Sequence, residues 1–157
     1  MQCIGLYINR QKEAAKKVAR DLIAWLQEQG KKVYLLQGQA RDLELPGQSL
    51  HKDAFARQIE LAIVLGGDGT LLAAARYLSP AGVPIMGINM GRLGFLTTAE
   101  PANITSALTQ VLVGEYWLDD RLMLEGSVFR GDKKVYSYLA LNEVVVTKGA
   151  FARLIHL

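Results

Sequence analysis

Four short apolar runs, at residues 3–8, 33–36, 61–65 and 84–88, alternate with stretches of helical periodicity. No other feature restricts the possible folds of this chain so tightly. Strands that alternate with helices are joined by crossover connections, which make the strands parallel and place helices on both faces of the sheet. The first helix is predicted over residues 12–29, with Ala15, Val18, Ala19, Leu22 and Leu26 on its inner face and Gly30 as its stop. Further helices are expected at about 71–78 and 101–113, with one helical turn at 55–59. Residues 37–52 contain Pro46 and Gly47, lack periodicity and read as a loop.

The pattern changes near Gly114. Residues 121–130 alternate Leu122, Leu124 and Val128 with Arg121, Glu125 and Ser127, the period of a half-exposed strand. Gly131 and Asp132 supply a turn, residues 134–147 return as a second strand, and a third begins at 151. A hairpin with one further strand makes a poor core alone. The expected fold class is α/β: a parallel-sheet, Rossmann-like N-terminal domain at 1–115, then the start of an antiparallel β-rich domain at 116–157.

With 157 residues, 50% of them hydrophobic, the chain can bury a core without disulfides. Its lone cysteine, Cys3, reads as a small buried hydrophobe and fits a reducing compartment. No apolar run reaches the ~18–20 residues of a bilayer span, and the N-terminus lacks a secretory pattern. A cytoplasmic protein without membrane contact is expected. The net charge of +3 is mild. Lys12, Lys16, Lys17 and Arg20 recur at helical spacing and read as a solvated helix face, not a nucleic-acid track.

In an open parallel sheet, ligands sit beyond the carboxyl ends of the strands. The loop Gly66-Gly67-Asp68-Gly69-Thr70 falls there. Its glycines remove the Cβ atoms that would block close approach and permit positive φ, and the helix that follows offers unpaired N–H groups to an anion. Asp68 would repel that anion unless it accepts a proton from an attacking hydroxyl or shares Mg²⁺ with phosphates. The alternative is a plain helix N-cap, which explains the Asp but not the glycines around it. Gly67, Asp68, Gly69 and Thr70 are therefore candidate binding residues, with Asp68 the candidate catalyst. No residue is assigned as a dedicated metal ligand.

Two more stretches carry information. In Ile88-Asn89-Met90-Gly91-Arg92-Leu93-Gly94-Phe95-Leu96-Thr97, Phe95 either lies against a base or nicotinamide ring or plugs the core. In Leu141-Asn142-Glu143-Val144-Val145-Val146, two polar groups stand in an apolar strand. Asn142 and Glu143 suit vicinal ribose hydroxyls, or else satisfy a turn or strand end.

The string GGDGT resembles the signature shared by NAD kinases, diacylglycerol and sphingosine kinases and, more distantly, 6-phosphofructokinases. With the NMGRLGFLT loop and LNEVVV, in that order and at that approximate spacing, nearly the whole chain resembles bacterial NAD kinases. The lipid kinases typically place an Asn-Glu-Val/Ile segment in the helix after GGDGT, where this chain has Leu71-Leu72-Ala73-Ala74-Ala75. The resemblance implies Mg²⁺-dependent transfer of the γ-phosphoryl of ATP to the 2′-hydroxyl of the adenosine ribose of NAD. Asp68 would be the base; Asp68, Gly69, Asn142 and Glu143 would contact the dinucleotide. Arg153 stands where the family carries a basic residue near the nucleotide, or is an exposed charge on a strand. The resemblance also implies a homo-oligomer. Family members continue through a β-rich domain with a second nucleotide motif, so the sequence reads as an N-terminal portion, inactive alone. A diacylglycerol-type lipid kinase and a non-catalytic dinucleotide-binding module are the alternatives.

Overall fold

The computed structural model of the protein describes residues 1–146, apart from positions 92, 93, 95 and 98. The chain divides into two compact units, Met1–Asp119 and Asp120–Leu157.

The first unit is built on five strands: β1 (Cys3–Ile8), β2 (Lys32–Leu36), β3 (Ser49–Leu50), β4 (Leu61–Gly66) and β5 (Ile85–Asn89). They are parallel, in the order β3-β2-β1-β4-β5. Every residue of β4 is buried, as expected of a central strand covered on both faces. One face carries Ile4, Leu6, Ile63 and Leu65, packed against Ala15, Ala19, Leu22 and Leu26 of α1 (Glu13–Glu28) and Ile104 and Leu108 of α5 (Ile104–Val113). On the other face Gly5 leaves room for Phe55 and Ile59, and Gly87 for Leu71. These come from α3 (Lys52–Gln58), the residue just after it, and α4 (Asp68–Leu78).

Helix ends follow the sequence closely. Gly30 (φ 71°) and Gly114 (φ 92°) adopt the left-handed conformation that stops α1 and α5. Residues 37–52 differ from the loop expected there. They form α2 (Gln37–Asp42), a 3₁₀ turn at Pro46–Gln48 and β3. No periodic stripe announces α2, because tertiary contacts hold it: Gln39 and Ala40 are buried, and the Gln39 amide donates to the Ile8 carbonyl at 3.2 Å. Similarly, α3 extends the single turn expected at 55–59 to seven residues and begins earlier, at Lys52. Cys3 is half-buried and not the fully buried residue expected.

In the second unit β6 (Leu124–Arg130) pairs antiparallel with β7 (Lys133–Ala140) around Gly131 at φ 58°. Both strands are shorter than the alternation suggests. β7 ends at Ala140, so Asn142 and Glu143 follow the strand and do not lie within it. Leu122, Val128, Tyr136 and Tyr138 are exposed. The strand expected from residue 151 lies outside the described residues.

One carboxylate ties the N-terminus to the sheet. Glu60 accepts hydrogen bonds from the backbone N–H of Gln2 at 2.5 Å and of Cys3 at 2.8 Å. These bonds hold its carboxyl below its ordinary value of 4.5. A depressed folded-state value contributes stability above the unfolded value and loses it as pH falls through the folded one. Glu60→Gln is therefore expected to flatten the fall in thermal midpoint between about pH 5 and 3. An unchanged acid limb in the variant would assign that fall to other groups.

Candidate active site

The strand order reverses direction between β1 and β4: from β1 the chain moves out to β2, and from β4 it moves the opposite way to β5. The connections diverge there and leave a crevice at the carboxyl ends of the two strands. Ile8 and Leu65 are register partners, and the Asn9 N–H donates to the Leu65 carbonyl at 2.9 Å, so the segments leaving β1 and β4 lie side by side. Between them lies a cleft of about 480 Å³. Gly67, Gly69 and Thr70 line it from the β4 side; Asn9, Arg10, Lys12 and Gln39 line it from the other.

The three glycines of the loop do different things. A Cβ on Gly66, the last residue of β4, would collide with the Thr70 side chain. Gly67 and Gly69 have nothing within 4 Å of where a Cβ would stand, and both border the cleft. Their lack of a side chain leaves room in the cleft itself. The positive φ expected of this loop is absent: Gly67 has φ −121° and none of the three is left-handed. Clearance, not turn geometry, explains them.

Asp68 is the first residue of α4, whose N-cap is Gly67. The plain N-cap role does not hold. The carboxylate instead accepts the Leu96 N–H at 3.2 Å, and a Cβ on Gly94 would strike it. It thus faces the segment after β5, while its neighbours Gly67 and Gly69 face the cleft. The positive end of the α4 dipole favours a carboxylate in this first turn. Asp68 is half-buried, a position that leaves it reachable.

The segment after β5 is tied to this loop. The Met90 N–H donates to the Gly66 carbonyl at 2.7 Å, and buried Asn89 accepts the Gly91 N–H at 3.1 Å. Two hydrogen bonds, at 2.5 and 3.1 Å, join the Arg10 guanidinium to Asp42. This pairing lowers the Asp42 carboxyl and raises Arg10.

Of the residues predicted from sequence, Gly67, Asp68, Gly69 and Thr70 stand together at the end of β4. Asn142 and Glu143 are exposed and belong to the second unit. Phe95 and Arg153 lie outside the described residues. Sequence reasoning missed Asn9, Arg10 and Gln39, and assigned Lys12 to a solvated face. The available signal was that Asn9 is the first polar residue after the apolar run of β1. Among the described residues, no cluster of three or more His, Cys, Asp or Glu could hold a metal ion, and no helix is long and apolar enough to cross a membrane.

A family model described as the ATP-NAD kinase N-terminal domain matches residues 4–116. The chain belongs to the NAD kinase family. Its relatives include NAD kinases of Syntrophotalea carbinolica, 41% identical over 99% of this chain and 54% of the relative, and of Moorella thermoacetica, 41% identical over 100% and 50%. The chain thus spans about half the length of the curated NAD kinases it matches. Among solved structures, yeast NADH kinase complexed with NADH superposes with a TM-score of 0.78 at 19% identity, covering 90% of this chain and 47% of that one. An NAD kinase from Archaeoglobus fulgidus in complex with ATP gives 0.51 at 20%, covering 81% and 41%. These two likenesses establish the shared fold.

Proposed function

We propose that this chain is part of an enzyme that transfers the γ-phosphoryl of ATP to the 2′-hydroxyl of the adenosine ribose of NAD, giving NADP. The observation that carries the proposal is the division at the start of α4. Gly67 and Gly69 open onto the cleft at the switch point, while the Asp68 carboxylate turns to the segment after β5. A phosphoryl donor in the cleft and an acceptor hydroxyl beside Asp68 would meet across this one residue. The hydroxyl oxygen attacks the γ-phosphorus, the bond from that phosphorus to the bridging oxygen breaks, ADP leaves, and Asp68 takes the proton.

Mg²⁺ is commonly held by one or two carboxylates together with substrate phosphates, so a single carboxylate here fits an ion that arrives with the donor. Asp68 would hold it, and the ion would neutralise charge on the phosphates. We assign residues 1–115 to the domain carrying the GGDGT loop and 116–157 to the beginning of the NAD-binding β-rich domain. Asn142, Glu143, Phe95 and Arg153 are the proposed dinucleotide contacts beyond this loop. The reading includes a homo-oligomeric enzyme of the cytoplasm; the single cysteine agrees with that compartment.

The test joins residues 1–157 to the remaining half of the Syntrophotalea carbinolica relative. Radiolabelled ATP is then offered with NAD, NADH, diacylglycerol or sphingosine. Labelled NADP is expected; labelled lipid alone would overturn the assignment, and NAD binding without turnover would indicate a binding module. In that chain Asn142→Ala and Glu143→Gln are expected to raise KM for NAD more than KM for ATP, because partner groups on the ribose are left unpaired. Equal effects on both substrates would make the segment after β7 structural.

A further inference from the structure

A polyphosphate brought beside Asp68 needs compensating positive charge. Among the described residues two cations border the cleft, Arg10 and Lys12. Arg10 is already paired to Asp42 through two hydrogen bonds. Among the described residues Lys12 has no carboxylate within ion-pairing distance: Glu13 pairs with Lys16 at 2.6 Å, and Asp42 with Arg10. From these positions we infer that Lys12 is the residue that holds the phosphates of the phosphoryl donor. The inference rests on reading the cleft as the donor's.

Several features fix the lysine in place. The Lys12 N–H donates to the Asn9 carbonyl at 3.1 Å, a tight turn that brings the residue back over the end of β1. Lys12 is the N-cap of α1, and its carbonyl accepts from Ala15 and Lys16. Its Nζ lies 3.0 Å from where a Cβ of Gly91 would stand, so the ammonium extends from the cleft toward the segment after β5. A Cβ at position 91 would require the ammonium to shift by a few tenths of an ångström. The other solvent-side cations of α1, Lys17 and Arg20, do not border the cleft.

A second observation at the same place points to a ligand. Gln39, 4% exposed, borders the cleft with its NH₂ bonded to the Ile8 carbonyl. That bond orients the amide, and its Oε1 is left without a hydrogen-bond partner among the described residues. Buried polar atoms are rarely left unmatched, and those that are call for an explanation such as a ligand.

The experiment titrates the 157-residue chain with ATP and with inorganic tripolyphosphate at low ionic strength, following ¹H–¹⁵N spectra. Lys12→Met is expected to weaken both ligands about 10-fold, the effect of losing one charge-assisted contact. Lys12→Arg should keep most of the affinity. Lys17→Met, which removes an equal charge from the exposed face, should change nothing. Gly91→Ala should weaken both ligands without altering charge, by less than Lys12→Met. Wild-type affinity in Lys12→Met, an equal loss in Lys17→Met, or no saturable binding by the wild-type chain would each overturn the inference. Because the readout is phosphate binding, failure of NAD to become phosphorylated counts against the proposed function alone.

Discussion

Asp68→Asn, made in a chain of the relatives' full length, is expected to lower NADP formation by about 10²–10⁴-fold while the fold survives. Asn keeps an oxygen that can accept the Leu96 N–H, the bond the Asp68 carboxylate makes at 3.2 Å. It keeps the same size against Gly94, where there is no room for a Cβ. Gly67, not Asp68, caps α4, so the helix start is untouched. The substitution removes the basic oxygen and the negative charge, the two properties that proton acceptance and a metal ion require. The check is initial-rate measurement of NADP beside a thermal melt. Near-normal turnover would leave Asp68 as a tie between α4 and the segment after β5 and would remove the proposed base.

The largest loss of stability is expected from Phe55→Ala, about 3–5 kcal/mol. Phe55 is fully buried, its ring 6.2 Å from that of Tyr77, and its Cζ lies 2.6 Å from where a Cβ of Gly5 would stand. The ring fills the space between the middle of β1 and α4, and no side chain from Gly5 can move in to replace it. Helix α3 has seven residues, too few to be stable alone, so this anchor also holds the helix. Urea unfolding followed by the fluorescence of Trp25, which packs against the core of the first unit, measures the change. A loss below about 1 kcal/mol would mean that α3 collapses into the space the ring leaves.

The parallel sheet was legible because its strands are covered on both sides. The all-apolar run of β4 and the stripe of α1 each leave one arrangement that hides them, and Gly30 and Gly114 mark helix ends that only glycine adopts easily. The catalytic candidate was legible for a related reason. An acid between glycines, directly after a buried strand, sits where an open sheet binds ligands. The short elements were not legible. Helix α2 has six residues, includes Gly38 and owes its place to Gln39 reaching the Ile8 carbonyl and Asp42 reaching Arg10. Partners 31 and 32 positions away leave no local period to read. The end of β7 was overextended for the opposite reason: Val144, Val145 and Val146 favour a strand, yet propensity alone does not supply a pairing partner.

From the sequence alone, then, came the alternation of the four longer strands with helices, the parallel sheet, and the placing of Asp68 at a strand's carboxyl end. Those follow from periods of two and 3.6 residues and from backbone conformations that few residue types tolerate. Tertiary structure decided the rest of the site. Only the lateral order β3-β2-β1-β4-β5 sets the end of β1 beside the end of β4, and so Asn9, Lys12 and Gln39 opposite Gly67 and Gly69. Only the packing of the segment after β5 brings the Leu96 N–H to the Asp68 carboxylate. Lateral strand order and side-chain direction depend on contacts between residues far apart in the chain, and such contacts leave no mark in any short window of sequence.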